Sequence, residues 1–280
     1  MGTWMISFHG GDSKGASPIN TLASIQLGGS PPSLRELRAF TVGPDGNLYV
    51  VNAYKDNSMI LQFGPASSWP APYLTTFVDS HLDHPFDIVF GPKGNLYVSN
   101  QDNNHVNMFE GPSGANPGHH LGDFAGGFNA VRGLAYDGTY VYIADEQGGA
   151  SKTGAVCVYD SSGNSQNSIA APDPIHLMYD GQRYLYIGCG SANDVQVFDT
   201  QNPSQPAQSI FSGGANPAID GTSGIALPGD GNIYVASRKG QRILKYPLST
   251  PTTAGAGSVF LGQLPDQPEF VGMVGSGVFG

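Results

Sequence analysis

The sequence predicts an all-β fold, a six-bladed β-propeller of four-stranded antiparallel blades, from three observations. The stretch GPDGNLYVVN at 43–52 returns as GPKGNLYVSN at 91–100, YDGTYVYIAD at 136–145, YDGQRYLYIGCG at 179–190 and PGDGNIYVAS at 228–237. The tyrosines at its centre, Tyr49, Tyr97, Tyr142, Tyr186 and Tyr234, are 48, 45, 44 and 48 residues apart, the period of a propeller blade. No segment sustains a 3.6-residue apolar period between helix caps, so helix is expected to be scarce.

Each repeat opens on a Gly/Asp turn and continues with apolar residues around its tyrosine. Such a turn joins two antiparallel strands as a hairpin. The second repeat carries four strand signals in FDIVFG, NLYVSN, HVNMFEG and HHLGDF; the first has RAFTVG, NLYVVN, MILQFG and YLTTFV, and the fifth GIALPG, NIYVAS, RILKYP and SVFLGQ. The chain ends lack the signature. With Met5 at the tyrosine position, TWMISFH and INTLASIQL read as strands, and EFVGMVGSGVFG supplies an inner strand. The expectation is one domain over 1–280, its sixth blade shared by about 1–30 and 266–280 so that the two ends close the ring and satisfy open strand edges.

Composition narrows the function classes. The 280 residues contain 40 glycines and 21 prolines, as turns demand, and 39% are apolar, enough for a core. Only 12 Lys and Arg stand against 22 Asp and Glu, for a net charge of −10. That balance argues against a nucleic-acid or anionic-membrane partner, which needs clustered cations. Cys157 and Cys189 are expected as separate thiols. The start, MGTWMISFHGG, lacks the basic and apolar runs of a signal peptide, which leaves a cytoplasmic protein or an exported one with its leader removed. Oligomeric state is not legible.

The pattern P-x-x-I-x-x-x-P-x-G-N-L-Y-V-x-N followed by N-x-x-V-x-x-F resembles the NHL repeat of six-bladed propellers. It stands in HPFDIVFGPKGNLYVSNQDNNHVNMF at 84–109 and in TSGIALPGDGNIYVASRKGQRILKY at 222–246. The resemblance implies the fold. It leaves function open, because such propellers include protein- and RNA-binding modules, lyases and lactone hydrolases. The Trp-Phe-Thr-Glu strand ending of virginiamycin B lyase-like propellers is absent. The zinc histidines of peptidyl-hydroxyglycine lyase-like propellers have counterparts only in His9, His84 and His176, without the local motifs.

Propeller ligands sit where the loops entering the inner strands meet around the central funnel. Those entrances are Leu37-Arg38-Ala39, Pro85-Phe86-Asp87, Val131-Arg132-Gly133, Ile175-His176, Thr222-Ser223-Gly224 and Pro268-Glu269-Phe270. The catalytic candidates are His176 and Glu269 as acid or base, with Arg38 and Arg132 as anion-binding guanidinium groups; Arg38 is expected to face His176, and Arg132 to face Glu269. Asp87, His176 and Glu269, on alternate blades, are a candidate ligand set for one Ca²⁺, Mg²⁺ or Zn²⁺ ion. Phe86, His84, His9, Asn52, Asn100, Asp145 and Ser223 are candidate substrate contacts. The expectation is a lyase- or hydrolase/cyclase-type enzyme acting on an anionic or carbonyl-containing small molecule. The alternative is a non-catalytic module presenting its loop face to a protein or glycan.

Overall fold

A computed structural model describes residues 3–8, 19–20, 32, 36–53, 57–65, 67 and 71–274. The N-terminal strands are β1 (Thr3–Phe8) and β2 (Ile19–Asn20). The first blade is β3 (Leu37–Val42), β4 (Asn47–Asn52), β5 (Met59–Pro65) and β6 (Tyr73–Val78). The second is β7 (Pro85–Phe90), β8 (Leu96–Asn100), β9 (His105–Phe109) and β10 (His120–Gly126). The third is β11 (Val131–Tyr136), β12 (Tyr140–Asp145), β13 (Ala155–Asp160) and β14 (Ile169–Ala170). The fourth is β15 (Pro174–Tyr179), β16 (Tyr184–Cys189), β17 (Asp194–Asp199) and β18 (Gln208–Ser209). The fifth is β19 (Thr222–Ala226), β20 (Asn232–Ser237), β21 (Arg242–Thr250), β22 (Thr253–Ala254) and β23 (Ser258–Leu261), and β24 (Pro268–Val274) ends the described chain.

The blade count corrects the expectation. Among the described residues there are five blades of four or more strands, not six four-stranded ones; the ends contribute a three-stranded sheet in the order β2-β1-β24. β1 and β24 pair antiparallel, with Ile6 opposite Val271 and Phe8 opposite Pro268. The physical reason lies in the sequence of the ends. They carry no Gly/Asp-turn hairpin with its tyrosine, so this sheet is assembled from segments far apart in the chain. β24 contacts both β19 and β3, which closes the ring.

Two-faced burial explains why the repeat reads as a near-continuous apolar run. On β4, Leu48 and Val50 pack towards Met5 and Val274 of the terminal sheet, whereas Tyr49 and Val51 pack towards Phe86, Ile88 and Val98 of the second blade. Alternation along a strand sends neighbours to opposite faces, and here both faces are interior. The same arrangement fills the gaps between the second and third, third and fourth, and fourth and fifth blades. Burying each large side chain contributes about 1.5–3 kcal/mol. The repeat tyrosines are all buried, and the turn aspartates accept their hydroxyls: Tyr49 to Asp45 at 3.0 Å, Tyr142 to Asp137 at 2.7 Å and Tyr234 to Asp230 at 2.8 Å. In these three repeats the turn aspartate therefore satisfies the polar tip of the core tyrosine, whereas Tyr186 donates to the Pro251 carbonyl at 2.6 Å. Trp4 carries the packing into the terminal sheet, 4.4 Å from Tyr234 and 5.2 Å from Phe260.

The inner strands share a bulge that builds the funnel. Pairing with the second strand slips between Leu37 and Phe40, Pro85 and Ile88, Val131 and Leu134, Pro174 and His176, and Thr222 and Ile225. Such bulges re-aim side chains. The first bulged position holds Arg38, Phe86, Arg132, Ile175 and Ser223; the second holds Ala39, Asp87, Gly133, His176 and Gly224. Side chains at the second position join neighbouring blades. Asp87 Oδ1 accepts the amide of Ile88, and its Oδ2 the amide of Leu134 in the next blade, each at 2.8 Å. His176 Nδ1 accepts the amide of Ile225 at 3.1 Å. Between them, a Cβ on Gly133 would lie 2.8 Å from the Ile175 carbonyl oxygen and from His176 Cα.

Two stability outcomes follow. Asp87→Ala leaves two buried amides without their acceptor and should lower the unfolding free energy by about 2–6 kcal/mol in a urea titration. Gly133→Ala forces β11 away from β15 and should cost about 1–3 kcal/mol. Unchanged midpoints for both would contradict the inter-blade role of this layer.

Candidate active site at the charged mouth

The first bulged position, the residue preceding each inner strand and the residue following each second strand meet at one mouth of the ring. These three positions gather Glu36, Arg38, His84, Arg132, Glu146, Asp173 and Arg238 from a chain poor in charge. Glu269, the corresponding bulge residue of β24, joins them.

The ionic contacts fall into two groups. Glu36 Oε1 is ion-paired with Arg38 and lies 3.2 Å from His84 Nε2. His84 Nδ1 lies 3.1 Å from Asp102 Oδ1. Glu269 Oε1 sits 3.8 Å from Arg38 Nη1 and 3.7 Å from Arg238 Nη1. In the second group, Arg132 Nη2 is 2.5 Å from Glu146 Oε2, and the Asp173 carboxylate is close enough to act on Glu146. Phe86 lies between the groups, with the guanidinium carbons of Arg38 and Arg132 at 5.4 and 5.7 Å from its ring centre. Phe270, 5.2 Å from Phe86, completes an aromatic floor.

Exposure separates the charges into layers. The side chains of Arg38 and Glu269 are 5% and 2% exposed, while those of Arg238, His84 and Arg132 are 34%, 27% and 23% exposed. Arg38 and Glu269 therefore set the field from beneath, and Arg238, His84, Arg132 and Glu146 face a visitor. Protonation follows the same geometry. Burial pushes the Glu36 carboxyl up, but the His84 hydrogen bond and the Arg38 charge overcome it and hold the group at about 2. The bond to Glu36 raises His84 above its ordinary value, against burial and the Arg38 charge, with Asp102 adding to the rise. Burial raises Glu146, Arg132 opposes it, and Asp173 pushes the same way as burial.

The expected residues divide across this arrangement. Arg38, Arg132, Glu269, His84 and Phe86 meet at the mouth. The expected oppositions are replaced by other pairings: Arg132 joins Glu146, and Glu269 lies between Arg38 and Arg238. His176 belongs to the inter-blade layer, because β15 begins at Pro174 and Ile175 takes the level of Arg38. Burial lowers its imidazole to about 4, and with Phe40, Ile88, Leu134, Leu177 and Phe270 it lines an inner cavity of about 170 Å³. Burial also raises Asp87 to about 7, against the two amides it accepts. Asp87, His176 and Glu269 are thus committed to different partners, and among the described residues no three His, Cys, Asp or Glu side chains are placed to hold a metal ion.

The remaining expected contacts serve the backbone. Asn100 accepts the Asp83 amide at 2.9 Å, Asp145 accepts those of Asn129 and Ala130, and Asn52 donates to the Asn57 carbonyl. Ser223 donates to the Pro268 carbonyl at 2.8 Å. His9 lies outside the described residues. Glu36, Asp102, Glu146 and Asp173 stand outside the expected set, and the sequence marks Arg238 only as a rim charge whose usual role is solvation; Glu36, Glu146, Asp173 and Arg238 nevertheless carry a positional signal. Glu36, His84 and Asp173 each stand thirteen residues before a repeat tyrosine, and Glu146 and Arg238 each stand four after one.

No protein-family model and no curated protein sequence matches the chain. Solved structures do. A Bacteroides uniformis protein assigned as a 6-phosphogluconolactonase aligns at 14% identity with a TM-score of 0.66, over 92% of this chain and 81% of its own. The periplasmic gluconolactonase of Pseudomonas aeruginosa aligns at 14% identity and a TM-score of 0.61, over 98% and 99%. Virginiamycin B lyase of Staphylococcus aureus aligns at 12% identity and a TM-score of 0.55, over 84% and 73%. At these identities the likeness establishes the β-propeller fold.

Proposed function

We propose that the protein, on an NHL-like scaffold, is a hydrolase of small lactones or related anionic carbonyl compounds, with its site at the charged mouth. The observation that carries this reading is the layered charge there, with the Arg132 and Arg238 guanidinium groups and the His84 imidazole accessible above buried Arg38 and Glu269. Guanidinium forks suit a carboxylate or phosphate on the substrate and the oxyanion that forms when its carbonyl is attacked. His84, with a carboxylate at each ring nitrogen that favours its protonated form, serves as the general acid towards the departing ring oxygen. The gluconolactonase names of two structural neighbours agree with this chemistry. The floor of Phe86 and Phe270 also suits a site that holds a ligand without turning it over, which is the rival outcome.

The test is lactone hydrolysis with glucono-1,5-lactone and its 6-phosphate as probes, followed by acid release above the buffer rate. The wild type should accelerate it. His84→Gln should lower kcat about 100-fold, while Arg238→Ala should chiefly raise KM. Because His84 must carry its proton and its pKa is raised, wild-type activity should fall as pH rises through a value above 6.5. Saturable binding without turnover would support the rival, and neither binding nor turnover would overturn the proposal.

A further inference from the structure

We propose that Glu146, ion-paired with Arg132 at 2.5 Å, is the general base that activates water at this mouth. The assignment rests on the hydrolase reading and supplies the partner that His84 requires.

The other carboxylates at the mouth are unsuited. Glu36 is held at about 2 and is a weak base. Glu269 is 2% exposed and flanked by Arg38 and Arg238. Asp102 is exposed and braces His84 Nδ1. Glu146 is both reachable, at 23% exposure, and more basic than an ordinary carboxylate, because burial and Asp173 disfavour its charge.

The surrounding elements fix the pair. Arg132 comes from β11, Glu146 follows β12, Asp173 precedes β15, and Gly190 and Ser191 follow β16. The Ser191 amide donates to Asp173 Oδ2 at 2.5 Å, and the Gly190 amide to the Asp173 carbonyl at 2.8 Å. Asp173 holds a left-handed φ of 49°, which is costly for a residue other than glycine. A Cβ at position 190 would lie 2.9 Å from its Oδ2, so glycine leaves room for the carboxylate there. Arg132 and Asp173 are the charged groups that act on Glu146. With both carboxylates ionised this corner is net negative by one charge beside Arg132, and one captured proton neutralises it. Asp173 is thus a positioning residue that makes Glu146 ready to accept a proton.

The step balances. Water oxygen bonds to the acyl carbon as its proton passes to Glu146, and the developing oxyanion faces a guanidinium. The ring C–O bond then breaks, and the departing oxygen takes the His84 proton. The product is the hydroxy acid, and exchange with solvent returns Glu146 and His84 to their starting states. The guanidinium carbons of Arg38 and Arg132 lie 5.4 and 5.7 Å from the Phe86 ring centre, so the two ionic groups lie within the reach of one sugar-sized ligand held by the more exposed Arg132.

The experiment compares pH–rate profiles of wild type, Glu146→Gln and Asp173→Asn with the same lactone probes, with thermal melts as a folding control. Wild-type activity should fall as pH drops through a value above 4.5, because Glu146 must be unprotonated and its pKa is raised. Glu146→Gln should lose about 100-fold in kcat together with that acid limb. Asp173→Asn, which removes the neighbouring negative charge, should move the limb to lower pH. If a folded Glu146→Gln keeps its rate within threefold and its acid limb, the base assignment is overturned while the hydrolase reading stands. If the wild type is inert towards both probes, the hydrolase reading falls and takes this assignment with it. In that case a ¹³C carboxyl titration of the pair still shows whether Glu146 titrates above ordinary glutamate.

Discussion

Burial of both faces of every blade is the constraint on which the rest depends. Tyr49 and Val51 face one neighbour while Leu48 and Val50 face the other, so no sheet is stable alone and each needs the next. A ring meets that requirement, and the pairing of β1 with β24 completes it. Closing the ring also crowds the inner strands at the axis. Gly133 and Gly224 stand where a Cβ would meet the neighbouring backbone, while Asp87 and His176 accept amides across the gaps. Small and large residues thereby alternate around the second bulged level. That level is structural, which leaves the first bulged level to carry chemistry.

The charge at the mouth is organised by burial. Arg38 and Glu269 are too enclosed to meet a ligand directly, and they neutralise each other only in part, since Arg38 also holds Glu36 and Glu269 also faces Arg238. A buried network of this kind is weak evidence for stability, because desolvation offsets much of the attraction. Its consequence is electrostatic. It pulls Glu36 down and leaves His84 raised, so acid and base properties separate within a few ångströms.

The second strands were legible in the sequence because the glycine turn, the tyrosine and the alternating apolar residues recur together, and the buried tyrosines and apolar residues fill the gaps between blades. The blade count was not legible, because the chain ends lack that signature and assemble through pairing distant in sequence. At the site, Arg38, Arg132 and Glu269 could be found because they occupy matching places beside recognisable strands. His176 was misplaced by one residue: β15 starts at Pro174, and one step along a bulged strand changes the level a side chain occupies. Glu146 and Asp173 carry no local signal of a site, and Arg238 reads as an ordinary rim charge, because each sits in a loop among ordinary turn residues. Their significance comes from neighbours in other sheets, as Glu269 of the terminal sheet shows for Arg238.

The central claim is that the accessible guanidinium layer at the mouth receives a small anionic ligand. The most direct measurement is a titration with gluconate, a product-type aldonate, following the arginine Nε–H signals by NMR. The account predicts saturable shifts at Arg132 and Arg238, with the shift at Arg238 weakened in Arg132→Gln and the shift at Arg132 weakened in Arg238→Gln. Shifts confined to Arg183, which pairs with Asp199 away from the mouth, or no saturable shift at all, would contradict it.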